Sequence, residues 1–585
     1  MKKMTTLCLA LALTCATEAG ATPDKQPKLK GRQTAAWGVA VPGSRTQSAS
    51  AMRFLNMGLG APMAAPRAVG NDPVSSVTTP GFGWADGPEG NQWYYTQNYK
   101  LNGYFYSGST ITLYDNNNQQ VGQFDIDVPD TLQVNSIEMY SALTKKMFDR
   151  DDTSIEAMVS IHAVGNAENN YKDRYITRAY HIDGSGIAYE CEGSGMLFDA
   201  SKGWNTYQRL ILPIEKVIDG KEYVSIDFIA PPTWGKDEPY VEHTLDIPFE
   251  NINYMDGAYI NCFVIEDKPY YVVAQYDTAY CTMPEDYTQD IIVTPNNHFV
   301  LKTYDRNYSL VDSVAVPIEE SPKGIYRMAA FGRMSDNDLS KGYFGPEDQF
   351  SYVVTWVDYH LQSDENTYNF DLYDSQAQRL KTICENAAEN QWFYLNNVKG
   401  KSEQMAFLQA LEEGQQIQMI DVPSCEKRTL FPAMIDGEGI TTSIDRYPSA
   451  KNDEGYQYVV NMRNAAEDEE GNVIARIGWY NPDLTLDHYA KFNLGKKGEY
   501  FTPLINNVSL NPYLFDTDNE MEYIYIAKKR RTDGTNKIDN ILEIAKEDGT
   551  ILRTFRGDDA KSFRTASVVN MSDAKNELLV AYYDN

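Results

Sequence analysis

The chain has 585 residues, 12% of them aromatic and 23% charged, with 41 Tyr. That composition excludes disorder as the dominant state and favours strands. A formal charge of −30 excludes long-range attraction to nucleic acid or anionic lipid, and favours cations or basic partners.

In chain order, residues 1–21 read as an export signal. Lys2 and Lys3 precede an apolar run from Leu7 to Leu13, and Ala19-Gly20-Ala21 suits a signal peptidase. Ala12-Leu13-Thr14 ahead of Cys15 is a poor lipobox, so cleavage after Ala21 is expected and a lipid anchor is not. The protein is therefore expected in the periplasm, on the cell surface or outside the cell. No later stretch reaches 18 uninterrupted apolar residues, so no membrane-spanning helix is expected. Residues 22–91 form a Gly/Pro/Ala-rich lead segment, with seven Lys/Arg and one Asp between 22 and 70. It reads as extended or disordered.

From residue 92 to 585 the texture changes to short alternating strands, read as a single domain. Strong candidates are 156–161, 223–228, 270–274, 350–356, 456–460 and 522–526, with 404–408 weaker because Met, Ala and Leu favour helices. Each is expected as the second strand of a four-stranded unit. The units are punctuated by one kind of turn, seen best at Tyr304-Asp305-Arg306-Asn307-Tyr308. It returns around Asp115, Asp183, Asp374, Asn481 and Asp548. Asp and Asn suit such turns because their side chains bond nearby backbone and tolerate left-handed φ.

Successive turns are 68, 122, 69, 107 and 67 residues apart. The two long intervals are near double, which implies eight units, two with degraded turns. The last two dozen residues read as half a unit, and residues 109–126 as the other half. Pairing them would close a ring and remove exposed edges. The expected fold is thus all-β, an eight-bladed β-propeller with seven blades as the alternative. On these features the chain resembles secreted bacterial β-propellers of diverged repeats, a likeness of architecture that brings no functional residues with it.

Five cysteines follow the leader: Cys191, Cys262, Cys281, Cys384 and Cys425. An odd count with no CxxC argues against zinc or redox motifs. Cys262 and Cys281 are the best-placed pair for a disulfide, although buried thiols are the favoured reading.

The function reads as non-catalytic binding of a protein or glycan partner, because no GxSxG, HExxH, Walker A or GxGxxG motif is present. Loops 166–172, 231–243, 277–290, 358–368, 464–471 and 528–537 are expected between second and third strands, on one face. They carry the candidate ligand-binding residues Trp234, Tyr240, His243, Tyr287, Tyr359, His360 and Tyr368. Asp149, Asp151 and Asp152, and likewise Asp516 and Asp518, cluster oxygens of a kind that suits Ca²⁺, the competing reading being tight turns. No other cofactor is expected. Two alternatives stand beside binding. One is a carbohydrate-active enzyme with an Asp/Glu pair in a central pocket. The other is a structural component of the envelope.

Overall fold

A computed structural model describes residues 78–584 apart from short internal stretches, among them 149–153, 166–172, 252–259, 283–291, 433–440, 512–520 and 531–537. The leader and most of the lead segment lie outside the described residues, as do Tyr287 and all five Asp residues considered for Ca²⁺. The described chain is all-β and divides into two compact units, one ending at Glu385 and the other beginning at Asn386. No helix among the described residues is long and apolar enough to cross a membrane.

The first unit holds five successive four-strand antiparallel meanders. They comprise Thr78–Asp86, Gln92–Asn102, Phe105–Tyr114 and Gln120–Asp127; Val134–Thr144, Glu156–Ala163, Arg174–His181 and Ile187–Glu192; Met196–Asp199, Gln208–Ile218, Lys221–Ala230 and Tyr240–Pro248; Ile260–Ile265, Lys268–Tyr276, His298–Asp305 and Leu310–Pro317; and Ile325–Phe331, Phe350–His360, Asn366–Asp374 and Arg379–Ala388. The first two are joined by a parallel bridge, Asp86 to Ala142, and an antiparallel one, Tyr106 to Val134. The second unit holds three more, the sixth to eighth along the chain, spanning 392–430, 441–496 and 502–556. A final hairpin, Lys561–Ser572 with Lys575–Asp584, forms a two-stranded sheet of its own.

That final hairpin corrects the expected closure. Phe105–Tyr114 already has Gln92–Asn102 on one edge and Gln120–Asp127 on the other, so it has no edge to offer residues 561–584. The missing half of its sheet comes from residues 78–102, the first part of which reads in sequence as lead segment. Pro80, Gly81 and Gly83 look like breakers there, yet Thr78–Asp86 pairs continuously with Gln92–Lys100. Gly83 is required by a close approach, since a Cβ would sit 2.3 Å from the Tyr95 hydroxyl.

Burial explains why these sequences stack as sheets. Fourth strands alternate: along Gln120–Asp127, Phe124 and Ile126 are buried while Gln123, Asp125 and Asp127 are exposed. Middle strands are buried on both faces. In the third meander Leu210, Leu212 and Ile229 pack against Met158 and Ala179 of the second. Ile211, Val224, Ile226 and Phe228 point the other way, onto Cys262, Tyr271 and Val273 of the fourth. Each fully buried Ile or Phe is worth about 1.5–3 kcal/mol, so the sheet-to-sheet faces are the main source of stability. In the second unit the sixth and seventh meanders meet through Met419, Tyr458 and Val460. The seventh and eighth meet through Val459, Trp479 and Tyr523.

The recurrent turn joins third and fourth strands, and its geometry is the same in five meanders. The amide of the fourth turn residue donates to the carbonyl of the first: Gly184 to His181, Tyr308 to Asp305, Ala377 to Asp374, Leu484 to Asn481 and Gly549 to Lys546, at 2.8–3.1 Å. That fourth residue is left-handed every time, at φ 80°, 61°, 60°, 69° and 82°. The side-chain oxygen expected of Asp is in place, as where Asp305 Oδ1 accepts the amides of Asn307 and Ser309.

In every case the second turn residue also reaches the preceding meander. Ile182 accepts the Gln123 amide at 2.7 Å. Arg306 accepts the Tyr207 hydroxyl at 3.3 Å. Ser375 donates to Asp312 at 2.6 Å, Pro482 accepts from Arg428, and Glu547 meets His488 at 2.6 Å. The turn is a latch between neighbouring sheets as well as a reversal of the chain. The third meander lacks it, and the sixth has a version one residue longer, with Asp421 opening it and Cys425 left-handed.

Among the cysteines, Cys262 is a buried free thiol, so the pairing with Cys281 does not form; Cys191 is also free.

Candidate functional site

The third meander departs from its neighbours in a way that decides where the candidate residues fall. Its first strand, Met196–Asp199, is short and hidden in sequence behind Gly193-Ser194-Gly195. Lys221–Ala230 is therefore the third strand of its sheet and not the second. Loop 231–239 accordingly joins third and fourth strands, the position that the latch occupies elsewhere. The loops at 166–172, 277–297, 361–365, 463–471 and 531–537 do join second and third strands.

Trp234 stands at the tip of that loop, 91% exposed. Thr233 and Lys236 exchange both backbone hydrogen bonds, at 2.9 and 3.0 Å, so the two residues between them are held in a tight hairpin. Lys236 folds back with its Nζ 3.2 Å from the centre of the Tyr240 ring. Such a cation–π contact at an exposed site is worth about 0.5–1 kcal/mol. Val241 beside it is also exposed. A large ring held in water on a rigid turn is a surface that a ligand would cover.

Beneath the hairpin lies a packed polar-aromatic cluster. Glu242 Oε2 accepts Arg209 Nε and the Tyr308 hydroxyl, each at 2.8 Å. Burial pushes the Glu242 carboxyl up, but these two bonds and the Arg209 charge outweigh it and hold it below its ordinary value. The His243 ring stacks on Tyr308 at 4.5 Å and 8°. Phe228 and Tyr271 complete the cluster, 4.7 and 5.8 Å from Tyr308. Burial, followed by the Tyr207 hydroxyl alongside, raises the Tyr271 phenol far above its ordinary value. His243 is thus held within this cluster, in the strand that leaves the hairpin.

On the other side of the same turn an open groove of about 580 Å³ separates the fourth and fifth meanders. Its base is Phe350, packed edge-on against Tyr270 at 5.4 Å. Lys268, Arg306 and Lys341 stand around it. Its two carboxylates are occupied by the protein. Asp305 is bonded within the turn, and Asp312 accepts the Tyr352 hydroxyl at 2.9 Å and Ser375 at 2.6 Å.

Of the remaining candidates, Tyr368 is 7% exposed within Asn366–Asp374 and has no surface to offer a ligand. Tyr359 and His360 end Phe350–His360, their backbones paired with Asn366 and Ile325. No cluster of His, Cys, Asp or Glu that could hold a metal occurs among the described residues. Sequence reasoning passed over Arg209, Glu242 and the cations of the groove. The signal for Tyr308 was present: an aromatic residue at a turn position that favours Gly.

No family model matches the chain, and no curated protein does. Solved structures similar to it include an acylaminoacyl peptidase of Pyrococcus horikoshii, 9% identical over 72% of this chain and 55% of that one, with a TM-score of 0.27. The match spans about half of the peptidase's length. The hemagglutinin-neuraminidase ectodomain of parainfluenza virus 5 is 10% identical over 61% and 81%, with a TM-score of 0.25. A structure described as NanB plus Optactamide is 9% identical over 86% and 89%, with a TM-score of 0.26. Superpositions this loose carry no inference about chemistry.

Proposed function

We propose that this is an exported, non-catalytic binding protein that engages a glycan through the end of the first unit bearing Trp234. The observation that carries the reading is the Trp234 ring, 91% exposed on a doubly bonded hairpin. Lys236 ties the hairpin to the Tyr240 ring, so stacking on a sugar face would cost little ordering entropy. The carboxylates at this end also favour binding over acid–base catalysis, because Glu242, Asp305 and Asp312 each already accept hydrogen bonds from the protein's own donors. As to architecture, we propose that the eight meanders are the blades of one eight-bladed propeller, each blade complete within its own stretch of chain. Particle images averaging to a ring of eight sectors would support this, and seven sectors or two separate bodies would overturn it.

Retardation of the purified protein in gels containing a panel of polysaccharides tests the binding. At least one polymer is expected to slow the wild type, and Trp234→Ala to weaken that interaction by tenfold or more with an unchanged melting temperature. Retardation equal in wild type and variant would remove Trp234 from the site. Turnover of a polymer, lost on substitution of one Asp or Glu, would replace binding with catalysis. Failure of every polymer, with capture of a protein sensitive to the same substitution, would assign the surface to a protein partner.

A further inference from the structure

Lys268, Arg306 and Lys341 surround one groove of a chain whose formal charge is −30. No described carboxylate pairs with Arg306 or Lys341; Lys341 instead lies 5.7 Å from the Phe350 ring centre. Lys268 has only a loose contact to Glu266, 3.7 Å between two largely exposed side chains. Asp305 Oδ1 accepts the turn amides, and Asp312 Oδ2 accepts the Tyr352 and Ser375 hydroxyls. The groove thus sets three cations against two carboxylates that are already hydrogen-bonded to the protein, an excess of one positive charge. Acids more than a Debye length away, about 8 Å at physiological salt, are largely screened.

We infer that this groove takes the charged groups of an anionic oligosaccharide, a uronate- or sulfate-bearing glycan, with the half-buried Tyr270 beside a sugar ring. Arg306 is the best placed to grip a planar carboxylate or a sulfate, through two parallel N–H donors. Asn307 and Gln349 line the same walls and can meet sugar hydroxyls. The chemistry fits an anionic ligand better than a basic peptide, which would meet three cations against two carboxylates. The inference deepens the glycan reading and rests on it, but on different residues. Arg306 belongs to the turn whose Tyr308 stacks on His243, in the strand that leaves the Trp234 hairpin.

The full-length protein would be titrated with polygalacturonate and chondroitin sulfate, and with a neutral glucan, at 50 and 300 mM NaCl. Wild type, Arg306→Ala/Lys341→Ala and Trp234→Ala are compared. The expected result is binding of at least one anionic polymer, weakened at least tenfold by the double substitution and by the higher salt. A preference for polygalacturonate or for chondroitin sulfate would identify carboxylate or sulfate as the group held. Binding of the neutral glucan alone, no binding of any polymer, or wild-type affinity in the double variant would each overturn the inference. The two readings separate cleanly. Wild-type affinity in Trp234→Ala with loss in the double variant removes the hairpin and keeps the groove, and the reverse pattern keeps only the hairpin.

Discussion

Two histidines occupy the same place in their meanders and are used in opposite ways. His243 lies in the fourth strand of the third meander and His488 in that of the seventh, and each faces the turn of the following sheet. His243 meets an aromatic ring, stacking on Tyr308, and its Nε2 is buried with no hydrogen-bond partner among the described residues. His488 meets charge. Glu547 lies 2.6 Å from Nε2 and Asp487 2.7 Å from Nδ1, with Lys451 3.4 Å from Glu547 and the ring stacked on Trp479 at 5.8 Å. The backbone of the latch is common to both, so side chains alone decide whether sheets are joined by packing or by ions. Packing is insensitive to pH and salt, whereas an ion clasp is sensitive to both.

The largest test of this contrast is Tyr308→Ala. It deletes the stack on His243, the contacts with Phe228 and Tyr271, and the bond to Glu242, which together should cost about 3 kcal/mol. Chemical denaturation of wild type and variant measures it, and a cost independent of pH from 5 to 8 is expected. The charged latch offers the converse substitution. Gly549 holds the position of Tyr308 there, at φ 82°, and an added Cβ would meet the Lys491 carbonyl oxygen at 2.7 Å. Gly549→Ala should cost about 2 kcal/mol, from the left-handed strain and the forced shift of the strand. If Gly549→Ala were neutral, the latch would not be docked as described.

His488→Ala should cost less, about 1 kcal/mol, because both carboxylates are one-third exposed. Its signature is the pH profile. The bond to Glu547, then that to Asp487, raises the His488 imidazole above its ordinary value of 6.5. Its contribution is therefore complete below pH 6.5 and fades as pH rises through the raised folded value. The same His488 bonds hold Glu547 and Asp487 below their ordinary values of 4.5 and 3.8. Their contribution is complete above those values and fades as pH falls through the depressed ones. The gap between wild type and His488→Ala should be widest between about pH 4.5 and 6.5 and narrow on both sides. A gap that stays flat across this range would show the clasp to be ordinary packing.

How much of this could be read beforehand follows from where the signals are local. The turn was legible because Asp305, Asp374 and Asn481 act on their own neighbours. Two interruptions of the period, at the third and sixth meanders, marked the sheets whose turns are absent or lengthened. What the sequence hid depends on distant chain. Gly83 looks like a breaker until Tyr95 is laid across it. Met196–Asp199 is too short to register, and missing it shifted Trp234, Tyr240 and His243 from one end of their sheet to the other. Trp234 is an exposed ring in a loop position other than the expected one, while Tyr368 obeyed the same composition rule and is buried. Arg209 and Glu242 carry no local pattern, since strand pairing and the arrival of Tyr308 bring them together.

The fifth meander supplies the smallest effect and the sharpest control. Its latch uses neither a ring nor an ion pair but the Ser375 hydroxyl donating to the Asp312 carboxylate. Its left-handed residue is Ala377, at φ 60°, a conformation that burdens any residue with a Cβ. Ala377→Gly should therefore stabilise the protein by about 0.5 kcal/mol, the relief of strain being partly offset by the greater freedom of glycine in the unfolded chain. Gly549→Ala makes the opposite exchange at the same turn position and carries a steric clash as well. If turn strain alone governed these sites, the two effects would be equal and opposite. The excess cost at Gly549 measures how closely that latch is pressed onto the strand before it.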